Sequence, residues 1–256
     1  GKQSEGASDV VFEFLDSENT PLTNREIVKE QQESLIKMRN VNYQYPNSPS
    51  YAIRDISLTI DKGENIAIVG PSGAGKTTLS KLLTQIVRPT SGHVSFNKCV
   101  NQIGMLSQNP YIFSASIKDN IAMFKKVDDD QILHVLEMVG LKEKVMSLKN
   151  GIHSRIGEGG EMLSGGQMRR IELSRVLLMN PDIVAFDEPT TGLDIETETV
   201  IQQVIAQHFE GVTMIMIAHR DSTIRQATRR LFIKDGYLVE DDQTISVRLE
   251  KGGDLV

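Results

Sequence analysis

The segment 65–87, NIAIVGPSGAGKTTLSKLLTQIV, decides the fold. Its apolar start, NIAIV, is typical of a strand covered on both faces, and TLSKLLTQIV has the apolar spacing of a helix. Between them, Gly70, Gly75, Lys76 and Thr77 occupy every fixed position of the pattern G-x-x-x-x-G-K-[ST]. The alternative is a glycine-rich turn with a solvated lysine, but the strand before it and the helix after it favour a phosphate-binding loop.

Such a loop holds a nucleotide mainly through its backbone. Glycines let consecutive N–H groups turn towards a phosphate, and the following helix presents the positive end of its dipole. We expect Lys76 to contact the β- and γ-phosphates and the Thr77 hydroxyl to bind Mg²⁺. The candidate nucleotide-binding residues of this loop are Gly70, Pro71, Ser72, Gly73, Ala74, Gly75, Lys76, Thr77 and Thr78.

Two carboxylates end another apolar run, IVAFDE at 183–188. Mg²⁺ prefers oxygen ligands and keeps several waters, so Asp187 is a candidate metal ligand, directly or through water. Glu188 follows at the carboxyl end of the predicted strand, where open α/β sheets bind ligands. It is the candidate general base for the water that attacks the γ-phosphate. A solvated strand terminus is the alternative, and the phosphate loop makes the site the better interpretation.

The remaining patterns predict an α/β fold. The runs LIKMRNVNYQY at 35–45 and ISLTIDKGE at 56–64 alternate as strands do, which predicts a strand-rich start. The pattern from 116 to about 150 is helical. Beyond it, the apolar runs 182–188 and 213–219 are separated by a helical pattern at 194–209. Such alternation of strand and helix predicts a mainly parallel sheet.

A second glycine-rich helix start lies at 162–170, MLSGGQMRR. Ser164 and Gln167 have the spacing of a capping box, in which the two residues satisfy each other's backbone N–H groups. Gly165 and Gly166 cost the helix up to ~1 kcal/mol each relative to alanine, so the bare backbone must serve a purpose. One explanation is close packing; the other is a phosphate site formed by Ser164, Gly165, Gly166 and Gln167. That site would lack its own lysine and metal ligand, which indicates a partner.

Composition excludes several classes of protein. The 39% hydrophobic and 24% charged content is ordinary for a globular protein, and no apolar run approaches the ~18 residues of a membrane-spanning helix. A formal charge of -6 disfavours a nucleic-acid partner. The single cysteine, Cys99, fits a reducing compartment and is expected to be a small apolar filler. The chain starts with Gly1 and not Met, which suggests a piece of a longer protein.

With LSGGQ at 163–167 following the phosphate loop, the chain resembles the ATP-binding cassette family over about residues 35–240. The resemblance implies a P-loop NTPase core with a mainly parallel sheet, an N-terminal antiparallel β-subdomain and an inserted α-helical subdomain. It also implies a head-to-tail dimer, in which ATP lies between the phosphate loop of one domain and the LSGGQ segment of the other.

The resemblance implies further site residues. Tyr45 resembles the aromatic residue that stacks on adenine, and Gln108 the glutamine that contacts Mg²⁺ and the attacking water. Asp194 resembles the aspartate that links the two sites of the dimer, and His219 the switch histidine at the γ-phosphate. Without the resemblance, Tyr45 is an ordinary strand aromatic and His219 a structural hydrogen-bonding residue, while Gln108 and Asp194 carry almost no signal.

Two segments resemble the exporter branch of the family, in which the ATPase follows a membrane domain on the same chain. Gly157, Glu158 and Gly159 resemble a loop that touches the membrane domain, and Phe113 and Ile117 are expected contacts for its coupling helix. Residues 1–34 are then interpreted as the tail of a membrane-domain helix and a linker, with the ATPase domain at 35–256 and its helical subdomain at about 109–180. The chain is shorter than the family pattern between Gly92 and Gln108.

The resemblance therefore implies an ATPase that uses ATP and Mg²⁺ to drive export. The expected catalytic residues are Glu188, His219, Lys76 and Gln108, and the expected metal ligands are Thr77, Gln108 and Asp187. The expected partners are a second nucleotide-binding domain and a transmembrane domain at the cytoplasmic face of the cell membrane, and the ATPase segment on its own is expected to be soluble. A soluble ATPase of the same family that acts on nucleic acid or the ribosome is the alternative, and the sequence has neither the coiled-coil nor the basic insertions that it predicts.

Overall fold

A computed structural model describes residues 33–188 and 192–243. Within these ranges the strands are β1 (Ser34–Tyr43), β2 (Ile53–Asp61), β3 (Asn65–Val69), β4 (Ser91–Phe96), β5 (Ile103–Leu106), β6 (Ala115–Ser116), β7 (Arg155–Ile156), β8 (Ile183–Asp187), β9 (Thr213–Ile217), β10 (Arg229–Lys234) and β11 (Tyr237–Asp242). The α-helices are α1 (Lys76–Leu83), α2 (Ile117–Ala122), α3 (Asp129–Met138), α4 (Lys142–Met146), α5 (Gly165–Met179), α6 (Ile195–His208) and α7 (Asp221–Gln226). A short 3₁₀ helix covers Gly151–His153.

The apolar runs form the centre of a six-stranded sheet with the order β11-β10-β3-β9-β8-β5. Every pair from β10 to β5 is parallel, and β11 joins β10 as an antiparallel hairpin. All five residues of β9 are buried, as expected for a strand covered on both faces. The prediction of a mainly parallel sheet is confirmed.

A second, antiparallel sheet has the order β2-β1-β4. In β2, buried residues alternate with exposed ones because side chains along a strand point to opposite faces. The buried face of this sheet, with α1 and one side of the large sheet, forms one apolar cluster that includes Ile36, Ile56, Leu79 and Ile215. This is the expected N-terminal antiparallel β-subdomain.

Helices α2, α3 and α4 lie between strands β6 and β7 in the chain, and α5 follows β7. All four helices fall inside the predicted helical region 109–180. Together with α6 they contribute to a second apolar cluster, which includes Ile117, Leu136, Ile171 and Ile201. Helix α3 starts with Asp129 and Asp130, and carboxylates in a first turn favour the helix dipole. The fold class expected from the sequence is confirmed in all three of its parts.

Cys99 is exposed in the connection between β4 and β5, so its interpretation as a buried apolar filler is wrong. Its N–H donates to the side chain of Asn97 in a tight turn. The expected membrane-domain helix and linker, residues 1–34, fall almost wholly outside the described residues. In the described ranges, none of the helices combines the length and the apolar character needed to cross a bilayer.

Candidate functional site

Four loops meet at one edge of the large sheet. The phosphate loop follows β3, His219 follows β9, Asp187 and Glu188 end β8, and Gln108 follows β5. These four strands are neighbours and parallel, so their carboxyl ends lie along the same edge. Open α/β sheets bind ligands at that edge.

The phosphate loop has the backbone conformation that its glycines allow. Gly73 and Gly75 have φ angles of 76° and 108°, in the region that favours glycine. A Cβ on Gly70 would lie 2.1 Å from the carbonyl oxygen of Ile233 on β10, so this position also needs glycine for close packing. The Lys76 ammonium donates to the Gly70 carbonyl and thus lies across the loop.

A cavity of about 420 Å³ borders the loop and is lined by residues 73–78 and by Tyr45. The Tyr45 hydroxyl and the Thr78 hydroxyl are 2.8 Å apart, and the Lys81 ammonium lies 5.8 Å from the centre of the Tyr45 ring. Tyr45 follows the end of β1, so the antiparallel sheet delivers this aromatic ring to the loop.

Asp187 lies at the centre of a polar cluster. Its Oδ1 accepts a long hydrogen bond of 3.4 Å from Gln108 Nε2 and lies 3.9 Å from His219 Nε2. Burial raises the pKa of the Asp187 carboxyl above its ordinary value, against the opposing effect of the neighbouring His219, Arg169 and Lys76 side chains. The structure therefore brings together Lys76 and Asp187, which the motifs predicted, with Gln108 and His219, which the family resemblance implied.

The Glu188 carboxylate is buried, with 4% of the residue exposed. Its Oε2 accepts from the backbone N–H groups of His219 at 2.7 Å and Arg220 at 3.0 Å, and its Oε1 accepts from the Thr223 hydroxyl at 2.7 Å. The sequence places Glu188 at the right edge of the sheet but says nothing of this hydrogen bonding.

The LSGGQ segment forms the start of α5 as predicted. The Ser164 hydroxyl accepts from Gln167 N–H at 3.1 Å, and the Gln167 side chain accepts from Ser164 N–H at 3.0 Å, which confirms the capping box. None of the four residues 164–167 lines the cavity of the phosphate loop. The two glycine-rich helix starts are thus separate in the chain's own structure.

The two glycines of this segment have different surroundings. A Cβ on Gly165 would meet nothing within 4 Å, whereas one on Gly166 would lie 2.5 Å from Asp194 Oδ1 and 2.4 Å from Thr197 Oγ1. Close packing within the chain therefore accounts for Gly166. Of the two, Gly165 is the one that leaves bare backbone facing open space.

Asp194 has a structural role of its own. It caps α6, where its side chain accepts from the Thr197 N–H, and this hydrogen bonding lowers the pKa of the Asp194 carboxyl. The same residue lies against Gly166, so it joins the start of α6 to the start of α5.

The two glycines can be separated by substitution. We expect Gly166→Ala to lower the free energy of unfolding by about 1–3 kcal/mol, because its methyl group overpacks against Asp194 and Thr197. Gly165→Ala should leave it unchanged or raise it by up to ~1 kcal/mol, because alanine favours the helix. Urea unfolding of both variants measures the difference. Equal destabilisation by the two substitutions would contradict this assignment.

Sequence reasoning missed a buried pair on α5. Arg169, 1% exposed, donates to the Asp187 carbonyl at 3.0 Å, and Glu172, 6% exposed, accepts from the N–H and hydroxyl of Ser107 beside Gln108. Burial raises the pKa of the Glu172 carboxyl. The signal available in the sequence was a pair of opposite charges three residues apart on a predicted helix. Through this pair α5 contacts the ends of both β8 and β5.

The two segments predicted to contact a membrane domain lie side by side. Ala115 pairs with Ile156, and a Cβ on Gly157 would lie 3.0 Å from the Phe113 carbonyl oxygen. Phe113 also packs edge to face against Tyr111 and Phe124, which are 66% and 60% exposed. Ile117 is 0% exposed, so its interpretation as a surface contact is wrong; it starts α2 and faces the core.

Comparison with known proteins agrees with this geometry. A family model described as ABC transporter matches residues 53–191. ABC transporter B family member 14 of Arabidopsis thaliana is 36% identical over 86% of this chain, which covers 18% of that protein. The exotoxin translocation ATP-binding protein PaxB of Pasteurella aerogenes is 37% identical over 80% of this chain and 30% of its own length. The glutathione/L-cysteine transport system ATP-binding/permease protein CydC of Haemophilus influenzae is 34% identical over 86% of this chain and 40% of its own length.

The chain thus spans less than half of the length of each of these relatives. Its match to the family model includes the phosphate loop, the LSGGQ segment and the two carboxylates of β8. The chain belongs to the ABC transporter family.

Proposed function

We propose that this chain binds and hydrolyses ATP and that it is the part of an exporter that drives transport. The observation that carries the proposal is the meeting of the phosphate loop, Asp187, Gln108 and His219 at the ends of four adjacent parallel strands. The relatives described as exotoxin translocation and glutathione/L-cysteine transport proteins support export. They favour it over the alternative of an ATPase that acts on nucleic acid, as does the charge of -6.

The cavity of the phosphate loop fits a nucleotide. Its bare backbone at Gly73 and Gly75 is open to a phosphate, and Tyr45 offers a ring beside it for an adenine base. Hydrogen bonding to Thr78 fixes the Tyr45 side chain before any ligand binds. We infer that adenine stacks on Tyr45 while residues 70–78 hold the phosphates.

Substitution of Tyr45 tests this binding mode. We expect Tyr45→Ala to raise the Kd for ATP by roughly 5- to 150-fold, because stacking of a base on an aromatic ring contributes about 1–3 kcal/mol. Tyr45→Phe keeps the ring, and its Kd for ATP should stay within about tenfold of that of the unchanged chain, because it loses only one hydrogen bond. Equilibrium binding of a fluorescent ATP analogue measures both. An equal loss of ATP affinity in the two variants would show that Tyr45 acts through its hydrogen bond with Thr78, and would contradict stacking.

For hydrolysis we propose that Asp187, Thr77 and Gln108 hold Mg²⁺ with the phosphates. Bound Mg²⁺ supplies positive charge that neutralises the phosphate oxygens during transfer. Among the described residues no group of three or more His, Cys, Asp or Glu forms a metal cluster. A Mg²⁺ site at a phosphate loop does not need one, because one carboxylate, one hydroxyl, phosphate oxygens and waters complete it. The oxygen donors of Asp187, Thr77 and Gln108 fit this ion.

The protein groups around the γ-phosphate then have separate roles. Lys76 holds the phosphate as a point charge, and Gln108 and His219 orient the groups at the reacting phosphate. Glu188 accepts the proton of the attacking water as general base.

We propose that two copies of this domain, or this one and a related one, bind ATP between them. Ser164, Gly165 and Gln167 form a helix start whose backbone is open in the single chain and lies outside the cavity of the phosphate loop. In a head-to-tail pair this helix start faces the phosphates that the partner's loop holds. Asp194 lies directly behind it and connects it to α6.

We further propose that the aromatic surface formed by Tyr111, Phe113 and Phe124 contacts the membrane domain of the exporter. Large exposed aromatic residues in contact with one another are typical of protein interfaces. Exposed Glu158 lies beside this surface in the loop after β7. The surface follows Gln108 directly in the chain, so a membrane domain that binds there is coupled to the nucleotide site through Gln108. In this arrangement the ATPase domain lies at the cytoplasmic face of the membrane.

A further inference from the structure

The candidate base Glu188 lines a different cavity from that of the nucleotide. A cavity of about 650 Å³ is lined by residues of α6 and α7, and Glu188, Arg220 and Thr223 lie in its wall. Glu188 is not among the residues that line the cavity of the phosphate loop. Its carboxylate is therefore turned towards the α6 and α7 side in this structure.

Three hydrogen bonds hold the carboxylate there. Two come from the backbone N–H groups of His219 and Arg220, which every substitution except proline leaves in place. The third comes from the Thr223 hydroxyl, at 2.7 Å from Oε1. Arg220 adds a charged neighbour, with its Nε 3.6 Å from the same Oε1. Thr223 is the one donor of the three that a substitution can delete without changing charge.

A general base acts only within hydrogen-bonding reach of the proton that it accepts. A carboxylate bonded to His219, Arg220 and Thr223 must give up part of this bonding to reach a water at the phosphate loop. Hydrogen bonds to a charged group are stronger than neutral ones, so the bonded orientation is favoured at rest.

We propose that Thr223 is a positioning residue that keeps Glu188 in a resting orientation and so limits hydrolysis. This inference rests on the proposed function, because it concerns the base of that reaction. Release of the carboxylate from Thr223 precedes proton transfer, and the bond to Thr223 sets part of the cost of that release.

Arg220, which lies beside the Glu188 carboxylate, is connected through α6 to the start of α5, which we expect to face the second ATPase domain. Arg220 forms an ion pair with Glu198 on α6. Helix α6 is capped by Asp194, whose carboxylate lies beside Gly166 at the start of α5. A movement of α6 on dimer closure would therefore reach Arg220 and the contacts of Glu188.

The test is steady-state ATP hydrolysis by the full chain with Mg²⁺, comparing Thr223→Val with Thr223→Ser. Valine has the same shape without the hydroxyl, and Thr223 is only partly buried, so the fold should tolerate it. We expect Thr223→Val to raise kcat by about three- to tenfold, since the resting orientation loses one bond. KM for ATP should not change, because Thr223 does not line the nucleotide cavity. Thr223→Ser keeps the donor and should match the unchanged chain.

The double variant Glu188→Gln/Thr223→Val separates this inference from the proposed function. It should be inactive, which shows that the gain acts through Glu188. A kcat of Thr223→Val that is unchanged or lower, in a chain that Glu188→Gln inactivates, would overturn the inference and leave the proposed function standing. A gain in kcat that persists in the double variant would also overturn it. Activity retained by Glu188→Gln alone would instead contradict the assignment of the base.

Discussion

Glu188→Gln is expected to lower kcat for ATP hydrolysis by about 10²- to 10⁴-fold, the contribution of a general base. The amide has nearly the shape of the carboxylate: its single oxygen can accept from the His219 N–H, and its NH₂ group can donate to the Thr223 hydroxyl oxygen. The amide cannot take the proton of the attacking water. ATP binding should be retained, because Glu188 does not line the cavity of the phosphate loop. Release of phosphate at saturating ATP and Mg²⁺ measures the loss.

A matched substitution controls for the change of charge. Glu210→Gln alters an exposed carboxylate in the turn after α6 and should leave kcat unchanged. Turnover by Glu188→Gln within about tenfold of the unchanged chain would show that another group accepts the proton. Loss of ATP binding by the same variant would show a role for Glu188 in holding the nucleotide and not in the reaction.

The second large effect concerns the dimer. In the presence of ATP, the Glu188→Gln chain should accumulate as a dimer, because the bound nucleotide is not consumed. Adding Ser164→Arg should raise the dissociation constant of this dimer by at least roughly 30-fold, because losing an important interface contact costs about 2 kcal/mol. The long side chain fills the open space in front of α5 and places a positive charge at the positive end of its dipole. Size-exclusion chromatography with light scattering, at several concentrations, measures dimer formation.

Ser164 also caps α5, so loss of the cap must be separated from the added bulk. Ser164→Ala removes the hydroxyl that accepts from Gln167 N–H and costs about 1 kcal/mol of helix stability, but it leaves the space in front of the helix open. We expect Ser164→Ala to weaken the dimer much less than Ser164→Arg does. ATP affinity of the monomer should be the same in both. A dimer that survives Ser164→Arg would contradict the head-to-tail arrangement.

Most of the features predicted from the sequence depend on residues that are close together in the chain. The phosphate loop is a property of nine consecutive residues, 70–78, and the capping box of Ser164 and Gln167 of only four, so their geometry follows from spacing and backbone preference. The alternation of apolar runs with helical patterns likewise indicates a parallel sheet. Gln108 and Asp194, by contrast, had no signal in composition or pattern. The family resemblance alone led to them, and the structure shows Gln108 beside Asp187 and Asp194 beside Gly166.

Apart from Cys99, the failures of sequence reasoning concern packing between distant segments. The family resemblance led to Ile117 as a surface contact for the coupling helix, but α2 turns it inward to the core. Gly165 and Gly166 are the same residue type at adjacent positions, and only the approach of α6 distinguishes them. Arg169 and Glu172 are charged residues that a helical pattern assigns to solvent, whereas the structure buries them against β8 and β5.

The sequence by itself determined the kind of fold, the phosphate loop, the capped LSGGQ helix and the pair of carboxylates on a strand, because each of these depends on residues within a few positions of one another. The tertiary structure decided the strand order β3-β9-β8-β5, which brings Lys76, His219, Asp187 and Gln108 to one edge. It also decided that the Glu188 carboxylate is bonded to Thr223 at the start of α7, 35 residues further along the chain. Both depend on how separate segments pack to cover a shared apolar core, and local spacing contains no record of that packing.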